Sequence, residues 1–230
     1  MAQIKTKAEI AKIKKACEIT DQIFKKIISN FKWKTELELR DFIAAEIKRR
    51  GLKPSFPPIV TSGARAGNEI HPKPTAEKLE GFVILDFGVI YQNYMSDMTR
   101  TVFVGRPSTE DRKIYEKVLK AKTEAEKLVL KDVKAAFADL KAREVMGKDN
   151  KYFIHTLGHG VGTRIHEAPR IYWRRTRPYF RENMVVTIEP GVYIPNKLGI
   201  RIEDTGVVTA QGYVPLTQST QELLVFPAVR

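Results

Sequence analysis

The chain has 230 residues, 43% hydrophobic and 29% charged, a balance that suits one folded unit with a sizeable core and excludes a disordered or fibrous chain. No apolar run approaches the ~18 residues of a transmembrane helix, and the Lys-rich start MAQIKTKAEIAKIKKAC lacks the apolar stretch of a signal peptide. Lys+Arg 40 against Asp+Glu 27 gives a formal +13 with no nucleic-acid motif beside it, and the one cysteine, Cys17, rules out a disulfide within the chain, so RNA is not the expected partner and a reducing cytoplasm is the expected compartment.

Apolar residues recur at helical spacing over 6–30, at Ile10, Ile13, Cys17, Ile23, Phe24 and Ile27, with lysines on the other face. A second helix is predicted from Thr35, with Glu38 completing a capping box and Leu39, Phe42, Ile43 and Ile47 as its apolar stripe. Gly51 is its stop signal, and Pro54, Pro57 and Pro58 impose an extended or loop segment. Residues 82–91 and 96–104 read as a hairpin. Ser108 caps a predicted helix over about 109–130, and 132–146 is helical, either continuing it or breaking from it. After the glycine-dense HTLGHGVGTRIHE at 155–167 come a second hairpin, 184–194 and 200–208, and a last strand or two within 213–227. No linker divides the chain, so one domain, 1–230, is expected.

VILDFGVIY (83–91) is echoed by VVTIEPGVYI (185–194), each followed by a second acid, Asp97 or Glu203. The echo suggests two related α–β halves around one site. In the first hairpin a turn near Tyr91-Gln92-Asn93 sets Asp86 roughly opposite Asp97; in the second, a turn at Pro195–Gly199 sets Glu189 opposite Glu203. Like charges opposite one another destabilise a sheet, and the apolar neighbours of these acids mark buried strands. Four such acids need shared protons, basic partners such as Arg100 and Arg201, or cations.

The histidines favour cations. Of the four, His71, His155, His159 and His166, three fall within 155–167. The i, i+4 spacing of His155 and His159 is that of a zinc helix, but Gly158, Gly160 and Gly162 disfavour a helix and suit close backbone approach at a crowded site. A carboxylate-rich donor set suits Mn²⁺, Co²⁺ or Fe²⁺ better than structural zinc.

The ordered blocks LDFGVIYQNYMSDMTRTVFVG, HTLGHGVGTRIHE, TIEPGVYIP and GIRIEDTGVV resemble the pita-bread metallopeptidases: Xaa-Pro aminopeptidases, prolidases and methionine aminopeptidases. The resemblance runs from about residue 59 to 226. It implies an α+β pita-bread (creatinase/aminopeptidase) fold, with two pseudo-symmetric α–β halves around a central curved antiparallel sheet. It implies two divalent metal ions (Mn, Co, Fe or Zn), with Asp86 on one, Asp97 and Glu203 bridging, and His159 with Glu189 on the other. It also implies Glu189 as general base, His71 and His166 as substrate-side histidines, and His155 as a supporting histidine typical of the Xaa-Pro branch. Arg201 is expected beside a ligand carboxylate, and the Thr99 hydroxyl is expected to support the site or to serve only β structure.

The implied reaction is hydrolysis of the N-terminal residue of a peptide by water activated between two metals. SDMTRT, HTLGHGVG and IEPGVYIP favour Xaa-Pro bonds. The chain is read as lacking the N-terminal domain usual in that branch, which resembles methionine aminopeptidases instead. Leu130-Lys131-Asp132 stands where a Pro-Gly break is frequent, and Ile70 precedes His71 where the branch commonly has proline. Methionine aminopeptidase is therefore one alternative. A non-catalytic pita-bread binding protein is another, although every ligand position is occupied. A peptide is the expected substrate, no membrane is expected, and a homodimer stays open. In RIYWRRTRPYFR (170–181), Arg174, Arg175 and Arg177 either grip an acidic substrate or form a solvated loop.

Overall fold

The computed structural model describes residues 4–175 and 177–228. Its helices are α1 (Lys7–Ser29), α2 (Glu36–Arg49), α3 (Thr109–Glu126) and α4 (Ala135–Met146). The strands of the first half are β1 (Lys53–Pro54), β2 (Ile59–Ser62), β3 (Gly81–Phe87), β4 (Val89–Tyr91), β5 (Tyr94–Met95) and β6 (Met98–Val104). Those of the second are β7 (Gly158–Gly160), β8 (Glu167–Ile171), β9 (Val185–Ile188), β10 (Gly191–Ile194), β11 (Leu198–Arg201), β12 (Asp204–Thr209), β13 (Gly212–Pro215) and β14 (Val225–Phe226).

The helices start and stop for local reasons. In α1, Thr6 accepts from Glu9 N while Glu9 accepts from Thr6 N, a complete capping box. In α2 the Thr35 hydroxyl accepts from Glu38 N, but the Glu38 carboxylate takes Lys34 N at 2.7 Å. The predicted box therefore closes one residue early. Gly51, at φ +69°, ends the helix in a conformation that costs other residues strain. The predicted helix over 109–130 stops at Glu126, and α4 is separate: turns at 127–134 intervene, with Asp132 at φ 64°.

The main ladders are β14-β6-β3-β2 and β13-β12-β9-β7-β8; β1-β4-β5 and β10-β11 are short sheets beside them. The central sheet is thus divided into four ladders, antiparallel except that β14 runs parallel to β6. The echo in sequence is an echo in structure. Strand β3, hairpin β4–β5 and strand β6 match strand β9, hairpin β10–β11 and strand β12, with the chain leaving the ladder between strand and hairpin each time. Helices α1 and α2 cover one half, burying Ile23, Phe24, Leu39 and Ile43 against Val83, Leu85 and Val102. Helices α3 and α4 cover the other, burying Val118, Ala121, Ala138 and Ala142 with Val186, Ile188 and Ile200.

The halves are joined where β6 passes β11 and β12. Glu203 N donates to Thr99 O at 3.1 Å, and Thr101 Oγ1 donates to Arg201 O at 2.7 Å. A buried ion network locks this seam to α3: Asp204 lies 2.6 Å from both Arg100 Nη2 and Lys122 Nζ. Arg100, considered above as a partner for one of the four acids, is thereby committed to Asp204.

Candidate metal centre

The site is built from residues within strands, Asp86 on β3 and His159 on β7, and from residues at strand breaks, Asp97, Glu189 and Glu203. Glu189 follows β9 and Glu203 precedes β12; the register of β9 with β12 and of β10 with β11 sets these two acids across from each other, as their spacing predicts. The first hairpin differs. Its turn is two residues long, with Gln92 and Asn93 at φ 47° and 69°, and this pairs Asp86 with Thr99 rather than with Asp97. Asp97 sits in the break before β6 and reaches the site from there.

His159 lies on β7, so the rejected zinc helix is absent and the segment is extended. A Cβ on Gly158 would stand 2.0 Å from Thr187 O, so only glycine lets β7 lie this close to β9. His159 N donates to Thr187 Oγ1 at 3.1 Å, and its Nδ1 faces Gly160 O at 3.1 Å. With Nδ1 on that carbonyl, Nε2 points inward, 3.3 Å from Glu189 Oε1 and 3.6 Å from Asp97 Oδ2.

Ligand atoms of Asp97, His159 and Glu203 all lie within 4.8 Å of one another. Glu189 joins this group through His159. Asp86 joins it through a hydrogen-bonded chain. Arg201 Nη2 donates to Asp86 Oδ2 at 2.6 Å, Arg201 Nε to Thr99 Oγ1 at 3.1 Å, and Thr99 Oγ1 to Glu203 Oε2 at 2.7 Å. Arg201 Nη1 also donates to Tyr193 OH at 2.6 Å, and Tyr193 OH lies 3.0 Å from His155 Nε2. Tyr193 and Thr187 were not predicted as site residues; the only sequence signal for Tyr193 is its place in the echo beside Tyr91. His71 and His166 are exposed on the rim of a cleft of about 1290 Å³ that also takes in His155, His159 and Glu189. His166 stands edge-on to His159, ring centres 4.4 Å apart.

The charge balance is the decisive property of this centre. Burial first, and then the neighbouring carboxylates, push the Asp97 carboxyl well above its usual range; burial and the same neighbours do so for Glu203. Burial also raises Asp86, although Arg201 pulls against it. Among the described residues Asp86 Oδ1 and Glu203 Oε1 are buried with no hydrogen-bond partner, an arrangement that costs free energy in a folded protein. Among the described residues Arg201 forms an ion pair with Asp86 and with no other acid of the site. Carboxylate lone pairs left open around one inward imidazole fit hard or borderline divalent cations.

The profile of Metallopeptidase family M24 matches residues 11–210. A curated relative, "Xaa-Pro dipeptidase" from Pyrococcus furiosus, is 41% identical over 227 residues, covering 96% of this chain. This chain spans only 65% of that relative's length. Among solved structures, the X-Pro aminopeptidase of Thermotoga maritima superposes with TM-score 0.92 at 35% identity, over 98% of this chain and 65% of that one. The prolidase of Pyrococcus horikoshii superposes with TM-score 0.90 at 38% identity, over 96% and 65% respectively. Two α–β halves, four converging acids and an inward histidine thus occur in a chain that belongs to Metallopeptidase family M24 and has the pita-bread fold.

Proposed function

We propose that this chain is a catalytic unit that removes the N-terminal residue of peptides at Xaa-Pro bonds, with two divalent cations held by Asp86, Asp97, His159, Glu189 and Glu203. The observation that carries the reading is the pair of buried, unpartnered oxygens, Asp86 Oδ1 and Glu203 Oε1. Arg201 holds one oxygen of Asp86 and Thr99 one oxygen of Glu203, so each acid keeps a lone-pair edge for a cation. Asp97 and Glu203, between Asp86 on one side and His159 with Glu189 on the other, would hold the cations. Bound cations of this kind supply a reactive water at neutral pH and a counter-charge for the transition state.

The chain's own residues supply the rest. Glu189 Oε1 is held by Thr187 Oγ1 at 3.2 Å and faces His159. Its Oε2 is then the oxygen that accepts the proton of the attacking water and passes it to the leaving amine. His71 and His166, on the cleft rim, are placed to donate to the substrate carbonyl and position the peptide. His155 acts through Tyr193, which orients Arg201 and so Asp86. Among the described residues no helix is long and apolar enough to cross a membrane. The buried free thiol of Cys17 suits a reducing compartment.

Relatives named as Xaa-Pro enzymes favour this branch over methionine aminopeptidase, and the complete donor set favours catalysis over mere binding. The test loads the protein with Mn²⁺ or Co²⁺ and compares Xaa-Pro dipeptides, longer Xaa-Pro peptides and Met-Ala peptides. Cleavage confined to the Xaa-Pro series is expected. Cleavage of the Met series alone would sink the assignment, and bound metal without any cleavage favours a binding protein.

A further inference from the structure

The basic segment gives the cleft more cations than a bare peptide terminus needs. Arg174, Arg175 and Arg177 line the cleft beside Arg170 and are exposed. Among the described residues none of the three pairs with a carboxylate, whereas nearby Arg143 and Arg181 are taken by Asp139 and Asp132. The turn at 172–175 that presents Arg174 and Arg175 is anchored from inside. Trp173 N donates to the fully buried Asp139 Oδ2 at 2.7 Å, and Arg143 Nε holds the other oxygen of that acid at 3.0 Å. Arg175 N donates to Tyr172 O at 2.9 Å. The Arg174 guanidinium lies 4.7 Å over the Trp173 ring, which restrains it and leaves its N–H edge available.

Three like charges within four positions repel one another, and carboxylates matching their planar forks relieve that repulsion. The cleft also has a polarity. One end is lined by His159 and Glu189 of the metal centre and the wall by the arginines. A peptide's ammonium end is repelled by the wall, while acidic side chains farther along are drawn to it. The volume of about 1290 Å³ exceeds the ~300–1,000 Å³ of ordinary small-ligand pockets, leaving room for residues beyond the scissile bond.

We propose that Arg174, Arg175 and Arg177 form an anion subsite that selects peptides carrying Asp or Glu side chains downstream of the scissile bond, a proposal that rests on the peptidase reading of the same cleft. The test compares Ala-Pro-Glu-Glu with Ala-Pro-Gln-Gln on the Mn²⁺-loaded protein and on an Arg174→Gln/Arg175→Gln/Arg177→Gln variant. Both peptides end in a carboxylate, so their ratio isolates the side chains. The acidic peptide is expected to have a kcat/KM about tenfold higher at low ionic strength, the ratio falling toward one in the variant and in high salt. Calorimetric binding of Pro-Glu-Glu against Pro-Gln-Gln gives the same comparison without turnover. A ratio near one in the native protein, or one that the variant retains, overturns the proposal. So does tighter binding of a short single-stranded RNA than of either peptide, lost in the same variant. A binding preference abolished in the variant, without hydrolysis of either substrate, supports the subsite and sinks the peptidase reading.

Discussion

At the scale of single residues, the centre depends on groups that hold its acids in place as much as on the acids. Thr99 is the hinge: its hydroxyl donates to Glu203 and accepts from Arg201, which in turn holds Asp86. Thr99→Val keeps the shape and removes both bonds. We expect it to lower divalent-cation affinity by ~10–100-fold, measured by titration calorimetry, with far-UV circular dichroism unchanged; undiminished affinity would show that the hydroxyl serves only the strand. The acids, the histidines and Arg201 are legible as candidates, because their types and spacing are a chemical signature, while the role of each rests on the family resemblance. Tyr193 and Thr187 are not legible, because a tyrosine or threonine in a strand is ordinary and only its neighbours make it part of a site. Arg100 was legible as a candidate partner but with the wrong acid. Nothing in the one-dimensional pattern distinguishes Asp204 from Glu203 beside it.

At the scale of elements, close approach and capping decide the local geometry. Gly158→Ala puts a methyl where Thr187 O already stands, so we expect a loss of ~2–3 kcal/mol, read from urea unfolding, together with weaker cation binding as β7 and its His159 are pushed away from β9. A second element-level expectation concerns α1 and α2. Glu46 on α2 takes hydrogen bonds from Arg49, Arg50 and, across the helix pair, Lys26. Its carboxyl is lowered to about 2, chiefly by Arg49, with burial opposing and Arg50 and Lys26 adding to the shift. A carboxyl lowered in the folded state contributes stability that is full above its ordinary value of about 4.5 and is lost as pH falls toward about 2. Glu46→Gln should therefore narrow its stability deficit against the native chain over that window, followed by thermal unfolding at stepped pH; a deficit constant with pH contradicts the assignment. Helices are legible in sequence because period and caps are local. The hairpin register is legible only where the turn is long and centred on Asn196. The two-residue turn at Gln92-Asn93 moved Asp86 opposite Thr99, a shift that spacing alone does not reveal.

At the scale of the whole molecule, the two halves meet at the proposed cation site, so a cation bound there would be coupled to folding. Ligands from both halves converge only in the folded chain, so a cation at about 100 times its dissociation constant should stabilise the fold by ~2.7 kcal/mol. Tm should fall on chelation with EDTA and recover with Mn²⁺ or Co²⁺ in a concentration-dependent way; a Tm indifferent to cations would contradict the proposed centre. By itself the sequence determined the facing of Glu189 and Glu203, the lack of a helix in the glycine-rich segment and the candidate acids and histidines, because each of these is written in local periodicity, turn chemistry or residue type, while the fold class came from the resemblance of its motif blocks to a known family. Only the tertiary structure decided how Asp97 enters the centre, which acid each arginine neutralises, and which carboxylate oxygens are left without partners. Those are properties of packing between distant segments, where burial and the identity of the facing atoms set the charge balance that makes a cation the fitting occupant.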